Sequence, residues 1–329
     1  PVEFPYLGEG LSNSGPELEG ISGDIASNSV GVSDVSGGGY LFTDDELEVL
    51  NKARFISNSH PEAVGSYAQV WVEWLEREAK IVLRPWQRVV MERGLEYRAD
   101  GTLCWPVCLV SAPRQSGKSI LVKALCLARC EVMPEKQEVL FLANNLMAAR
   151  RIMAESWRWA DARGLDVKQG AGFERVKWDD GSHWSLMAAQ SVWGSSANMF
   201  IADETWDIKR EVVDEAIFPT MVERENPQLW LFSTANPAAT DLMAHYRRQA
   251  LDGVGDVFLA EWGARVGDDF TDPRVWEGSA AWMHDQRRGM MRRLADSPGF
   301  EHQWLNVWPS DVLAEEGPSE WPRGWAACG

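Results

Sequence analysis

Val107-Cys108-Leu109-Val110-Ser111-Ala112-Pro113-Arg114-Gln115-Ser116-Gly117-Lys118-Ser119-Ile120 is an apolar run that turns through Gly-Lys-Ser into a helical pattern. That order of strand, loop and helix is the setting of a phosphate-binding loop. In such a loop, successive backbone N–H groups and the positive end of the following helix wrap phosphate oxygens. Gly117 lets the backbone approach closely, Lys118 is placed to reach the β- and γ-phosphates, and the Ser119 hydroxyl to ligate Mg²⁺. Ala112 stands where such loops usually carry their first glycine. Arg114 within the loop is either a surface arginine or a second cation aimed at the phosphates.

Three further stretches bear on the same chemistry. Met199-Phe200-Ile201-Ala202-Asp203-Glu204 is an apolar strand ending in two acids. Successive strand side chains point to opposite sides, so the two acids can take different tasks. Asp203 suits the magnesium side, and Glu204 suits orienting and deprotonating an attacking water. Leu229-Trp230-Leu231-Phe232-Ser233-Thr234-Ala235-Asn236-Pro237 closes in small polar residues. Ser233, Thr234 and Asn236 can bond a γ-phosphate or the water and report its loss. Upstream, Arg84-Pro85-Trp86-Gln87 offers an amide able to read an adenine edge.

Short apolar runs at Val107–Ser111, Val139–Ala143, Met199–Ala202, Leu229–Ser233 and Val257–Trp262 alternate with helical patterns near 118–130, 146–163, 210–217 and 240–251. This alternation predicts an α/β fold with a mostly parallel sheet and helices on both faces. Asp179-Asp180-Gly181, between Phe173–Trp178 and His183–Ala188, predicts a hairpin added antiparallel at the sheet edge. Thr43-Asp44-Asp45-Glu46 reads as a capping box, and a helix over 64–80 places Val70, Trp71, Trp74 and Leu75 on its apolar stripe. Residues 273–308 read as wholly helical. The Gly/Ser/Asn-rich stretch 1–40 buries too little apolar surface to offset its ordering and is expected to be a flexible arm. The resulting division is an arm over 1–40, a core over 41–265 and a helical lid or linker over 266–329.

A net charge of −17 excludes a protein that coats nucleic acid through its overall charge, since such binding needs neutralised phosphates. Any DNA contact must be local or shared between subunits. The densest basic cluster is Arg287, Arg288, Arg292 and Arg293, which reads equally as a solvated helix face; Arg150 and Arg151 are similar. No apolar stretch suits a bilayer span, and no leader pattern opens the chain. The chain begins on Pro1, from which loss of a preceding residue is expected. Cys126 and Cys130 lie one helical turn apart without a nearby histidine, which favours buried thiols over zinc.

In order and spacing, these elements resemble the ATPase domain of phage and viral DNA-packaging terminase large subunits, over about residues 75–310. Arg84-Pro85-Trp86-Gln87 is similar to the family's adenine motif, and Pro113–Ser119 to its arginine-bearing Walker A loop. Asp203-Glu204 resembles the Walker B pair, and Ser233–Pro237 the coupling motif. Phe300-Glu301-His302-Gln303-Trp304-Leu305-Asn306-Val307-Trp308 resembles the aromatic helix that closes the region. The resemblance implies a P-loop NTPase of the additional-strand, catalytic-glutamate (ASCE/RecA-like) class. It implies ATP and Mg²⁺ as ligands, with Glu204, Lys118 and Arg114 as catalytic residues and Arg84, Gln87 and Ala112, Pro113, Arg114, Gln115, Ser116, Gly117, Lys118 and Ser119 around the nucleotide. Implied partners are double-stranded DNA, a portal protein, a small terminase subunit and further copies in a ring on the capsid, in the infected host's cytoplasm and away from membranes. Two departures stand out. Gln190-Ser191-Val192-Trp193-Gly194 has tryptophan where the family often has a trans-acting arginine, leaving Arg175 and Arg224 as replacements. Only about 20 residues follow Trp308, too few for the family's nuclease, so no nuclease activity is expected from this chain. Two rivals remain: a superfamily-2 helicase or translocase fragment, and a non-hydrolysing nucleotide-binding scaffold.

Overall fold

The computed structural model describes residues 40–143, 146–170, 172, 174–188, 191–265 and 267–309. The arm expected over 1–40 therefore lies outside the described residues except for Tyr40, as do Gln190 and residues 310–329. The described chain opens with helix α1 (Asp44–Lys52) and strands β1 (Phe55–Ile56) and β2 (Gly65–Ser66). Next come α2 (Ala68–Trp74), which runs on into a π-helical turn over Leu75–Ala79, then α3 (Pro85–Gly94) and β3 (Glu96–Tyr97). The central part comprises β4 (Val107–Ser111), α4 (Lys118–Val132), β5 (Glu138–Ala143) and α5 (Leu146–Ala162). It continues through β6 (Asp166–Lys168), β7 (Arg175–Lys177), β8 (His183–Ala188) and β9 (Met199–Asp203). A π-helical stretch, Val212–Ile217, leads into α6 (Phe218–Met221), β10 (Gln228–Ser233), α7 (Asp241–Leu251) and β11 (Val257–Glu261). Three short helices follow: α8 (Pro273–Ser279), α9 (Asp285–Leu294) and α10 (Phe300–Gln303).

Among the described residues the main sheet has nine strands in the order β1-β11-β4-β10-β9-β5-β8-β7-β6. The six from β11 to β8 are mutually parallel, and β1, β7 and β6 add antiparallel at the two edges. The hairpin over Asp179-Asp180-Gly181 is present, with Gly181 in the left-handed region at φ 91°. Its second strand, β8, differs from expectation: it pairs parallel with β5, so at this edge β7 alone runs against the sheet and β6, antiparallel to β7, runs with it.

The central strands alternate side chains between two apolar cores, as a doubly covered sheet requires. Cys108, Val110, Phe141, Ile201, Trp230 and Phe232 face the core beneath α2 to α5. Leu109, Leu142, Phe200, Ala202, Leu229 and Leu231 face the core made with Val213, Ile217, Leu242 and Tyr246 on the opposite side. Each such leucine, isoleucine, valine or phenylalanine stabilises the fold by about 1.5–3 kcal/mol relative to exposure. At the end of β11, Glu261 is buried between Arg54 (2.7 Å) and Arg247 (3.0 Å). Burial alone would raise its carboxyl pKa, but the two guanidinium groups hold it down at about 2.

Two helical expectations need correction. Thr43 caps α1 as expected, with both bonds of the capping box to Glu46 formed. In α2, however, Val70 is 47% exposed and Val72 takes the buried place beside Trp71, Trp74 and Leu75. The 273–308 region is not wholly helical. His284 and Gly299 break it, and the chain beyond Gln303 leaves helical geometry, with Asn306 at φ 53°. This region has a small apolar cluster of its own around Trp276, Met291, Phe300 and Trp304. Cys104, Cys108, Cys126 and Cys130 are buried free thiols.

Candidate nucleotide-binding site

β4 delivers the chain to the loop Ala112–Gly117, and α4 begins at Lys118. Gln115 and Gly117 are both left-handed, at φ 61° and 104°. A side chain at Gly117 would also meet Arg84 Nη1 at 2.9 Å and Gln87 Nε2 at 3.1 Å, so glycine is required there on two counts. Ala112 is not among the positive-φ residues, which explains why this loop tolerates alanine in place of its first glycine. Its carbonyl accepts from Lys118 Nζ and from Thr234 Oγ1, each at 2.9 Å.

The loop is held from beneath by the start of α3. Arg84 Nη1 and Trp86 Nε1 both donate to the Ser116 carbonyl, at 2.7 and 3.2 Å. Gln87 corrects the sequence reading. Its amide is fully buried, accepting from the Arg84 backbone N–H at 2.7 Å and donating to the Gly117 carbonyl at 2.8 Å. It braces the phosphate loop and presents no edge to an adenine. Within the loop, Ser116 Oγ donates to the Pro113 carbonyl at 2.6 Å, while Ser119 is exposed in the first turn of α4.

Asp203 ends β9, and the Glu204 backbone N–H donates to its Oδ1 at 3.0 Å. Glu204 is exposed and left-handed at φ 56°, a costly conformation for a glutamate and of the kind found at functional sites. Trp206 Nε1 donates to its Oε2 at 2.9 Å. Burial pushes the Asp203 carboxyl up to about 6, opposed by the nearby Lys118 charge. Lys118 is pulled down by burial, opposed in turn by Glu204 and Asp203.

These ends of β4, β9 and β10 meet at a cleft of about 560 Å³, lined among others by Arg114, Asp203, Glu204, Thr234, Asn236 and Gln303. Lys118 joins it from behind, its Nζ donating to Thr234 Oγ1. Ser233 is buried, with its hydroxyl turned onto the Thr234 carbonyl at 3.2 Å. Asn236 accepts the Ala238 N–H at 2.9 Å, folding its side chain onto its own turn.

The C-terminal helices wrap the loop from the other side. Arg114 is bonded twice to Gln303, N–H to carbonyl at 2.7 Å and Nη1 to Oε1 at 2.8 Å. Arg287 corrects another expectation, because a buried arginine cannot touch DNA. It is 2% exposed, donates to the carbonyls of Arg114 and Trp304, and lies over the Trp304 ring at 5.2 Å. Arg288 is paired with Glu277 and Asp285, whereas Arg292 and Arg293 are exposed. The replacements considered for a trans arginine are each paired within this chain. Arg224 bonds Ser196 at 2.8 Å and Glu138 at 3.1 Å, and Arg175 pairs with Asp166 at 3.4 Å. Arg150 pairs with Glu174 at 3.3 Å. Trp193 is 57% exposed. Sequence reasoning missed Trp86, Trp206 and Gln303 as parts of the site; only tertiary structure brings Gln303 there, whereas Trp206 stands two residues beyond Glu204.

A strand, a glycine-bent loop and a helix, set beside two parallel strands that end in acids and hydroxyls, define an α/β protein with the P-loop NTPase fold. No protein-family model matches the sequence, and no curated protein matches it. Among solved structures, the HK97 bacteriophage large terminase aligns over 74% of this chain and 55% of its own, with a TM-score of 0.61 and 16% identity. A mutant of the large terminase ATPase domain of Thermus phage P74-26 aligns over 62% of this chain and 90% of its own, with a TM-score of 0.46 and 15% identity. The HK97 alignment shows that the two share a fold, and this chain spans about half the length of that terminase. Among the described residues no helix is long and apolar enough to cross a membrane.

Proposed function

We propose that this chain is the ATP-hydrolysing motor region of a DNA-packaging large terminase. The observation carrying the proposal is the convergence of Arg114, Asp203, Glu204 and Thr234 on one cleft, with the Lys118 ammonium bonded into its wall. The backbone around Gly117 binds the phosphates, and Lys118 exchanges loop carbonyls for phosphate oxygens. Glu204, held by Trp206, orients the attacking water and takes its proton.

The residues present fit a magnesium ion. Asp203 is a carboxylate whose ionisation is held back by burial, a cost that a cation relieves, and the Ser119 hydroxyl lies free at the start of α4. Ser119 and Asp203 would hold it, and its charge would offset that of the phosphates. In the packaging reading, turnover drives double-stranded DNA through a portal protein into a preformed capsid, with further copies of the chain and a small terminase subunit as partners. The acidic net charge confines DNA contact to a few positions.

Nucleotide binding and steady-state hydrolysis test the reading. Lys118→Ala is expected to lose ATP binding. Glu204→Gln is expected to keep ATP affinity within about threefold while turnover falls about 100-fold or more. Hydrolysis by Glu204→Gln at the wild-type rate, or a wild type that binds no ATP, overturns it.

A further inference from the structure

Asn306 is fully buried and left-handed at φ 53°, a conformation that asparagine tolerates better than most residues. Its Oδ1 accepts from the Ala235 N–H at 2.7 Å. Its Nδ2 donates to Ser111 Oγ at 2.8 Å and to the Trp262 carbonyl at 2.6 Å. A backbone N–H can only donate and a carbonyl can only accept, so these neighbours fix which way the amide points. One side chain thus ties together the C-terminal ends of β4, β10 and β11. Trp308 Nε1 adds a bond to the same Ser111 hydroxyl at 3.0 Å. The Asn306 main chain is pinned too, its carbonyl accepting from Arg54 Nη1 at 3.1 Å.

Ala235 follows Thr234, whose hydroxyl receives the Lys118 ammonium. Thr234 is itself bonded to the phosphate loop, its Oγ1 donating to the Ala112 carbonyl at 2.9 Å, but beyond it the bonds within the turn are local, from Ala238 and Ala239 back to Asn236. The Asn306 amide instead joins it to a segment about 70 residues away that also carries Gln303, the partner of Arg114.

We infer that Asn306 is a positioning residue for Thr234: it fixes the turn after β10 against the phosphate loop and passes the position of the Gln303–Trp308 segment to the nucleotide site. The catalytic half of this inference rests on the ATPase reading; the positioning half does not.

Asn306→Gly removes the amide while keeping a residue that accepts φ 53°. Ser111→Ala attacks the same junction and leaves residue 306 in place. Hydrogen exchange on the nucleotide-free chain is expected to speed up about tenfold or more at Ala235 and Asn236 in Asn306→Gly, with Leu229–Phe232 still protected. Ser111→Ala is expected to show a smaller effect in the same place. In ATP turnover, kcat of Asn306→Gly is expected to fall about 10- to 100-fold, as for a misplaced site, with KM within about threefold of wild type. Unchanged exchange at Ala235 overturns the inference. So does loss of protection across the whole sheet in both variants, since Asn306 would then hold the fold and not the turn. Wild-type kcat in Asn306→Gly overturns the catalytic half. A wild type without ATP turnover, combined with faster exchange confined to the turn, upholds the positioning and rejects the ATPase reading.

Discussion

Lys118 Nζ and Thr234 Oγ1 both donate to the carbonyl of Ala112 at 2.9 Å, and the ammonium also donates to the hydroxyl. The lysine that must meet a phosphate is thus stored against the strand that must sense it. Thr234→Val keeps the shape and removes the hydroxyl. It is expected to cost about 1 kcal/mol of stability, measured by urea unfolding, because a buried carbonyl and ammonium each lose a partner. ATP turnover is expected to fall about tenfold or more, and Thr234→Ser to retain most of it.

Gly263 lies where the C-terminal segment crosses the end of β11. A Cβ there would stand 2.8 Å from Asn306 O, 2.9 Å from Leu305 O and 2.8 Å from Arg54 Nη1. Two of these are backbone atoms, so the segment itself would have to move. Gly263→Ala is expected to lower stability by about 1–3 kcal/mol, read from the unfolding midpoint. Limited proteolysis is expected to cut it faster between Gln303 and Trp308.

Glu92 is buried on α3, and burial together with Glu96 pushes its carboxyl up to about 7, opposed by Arg93. The folded protein holds this proton up to about pH 7, whereas the unfolded chain releases it near its ordinary value of 4.5. Between those values the unfolded state binds fewer protons, so stability falls as pH rises and stays reduced above 7. Glu92→Gln cannot ionise. Its stability relative to wild type is expected to rise across pH 4.5–7 by on the order of 3 kcal/mol or less, measured by urea unfolding at several pH values.

The four arginines of α9 are expected to separate by role. Arg287→Ala removes a buried guanidinium from two carbonyls and an aromatic face, and is expected to cost about 2–4 kcal/mol of stability. Arg292→Glu with Arg293→Glu is expected to change stability by less than about 0.5 kcal/mol for each residue. If that face meets duplex DNA in the assembled motor, the double variant binds more weakly, and the salt dependence of log K loses a slope of about two. Filter binding across a salt series measures it.

The phosphate loop was legible because its signals are local: a short apolar strand, a glycine that must be left-handed, and a helix start. The parallel strands were legible for a similar reason, as apolar runs buried on both faces. Strand order and the pairing of β8 depend on which runs lie side by side, which no local pattern records. The Arg287-Arg288 pair shows the same limit: adjacent arginines read as one solvated patch, yet helical geometry turns Arg287 beneath the loop and Arg288 toward Glu277. Gln87 was placed at the site for its amide, but that amide is spent on the protein's own backbone. Phe300–Trp308 resembles an aromatic closing helix in sequence, yet Asn306 has a left-handed backbone, fixed by bonds to strands far away in sequence.

The crossing of Gln303–Trp308 over the strand ends bears on how this protein can be dissected. A fragment stopped after β11, where the last sheet strand finishes, would keep every residue of the Gly-Lys-Ser turn and both acids. It would nonetheless strip Arg114 of Gln303, Ala235 of its amide acceptor and the Ser111 hydroxyl of both its donors. The smallest piece able to stand as an independent unit therefore extends through Trp308, well past the point where the sheet is complete.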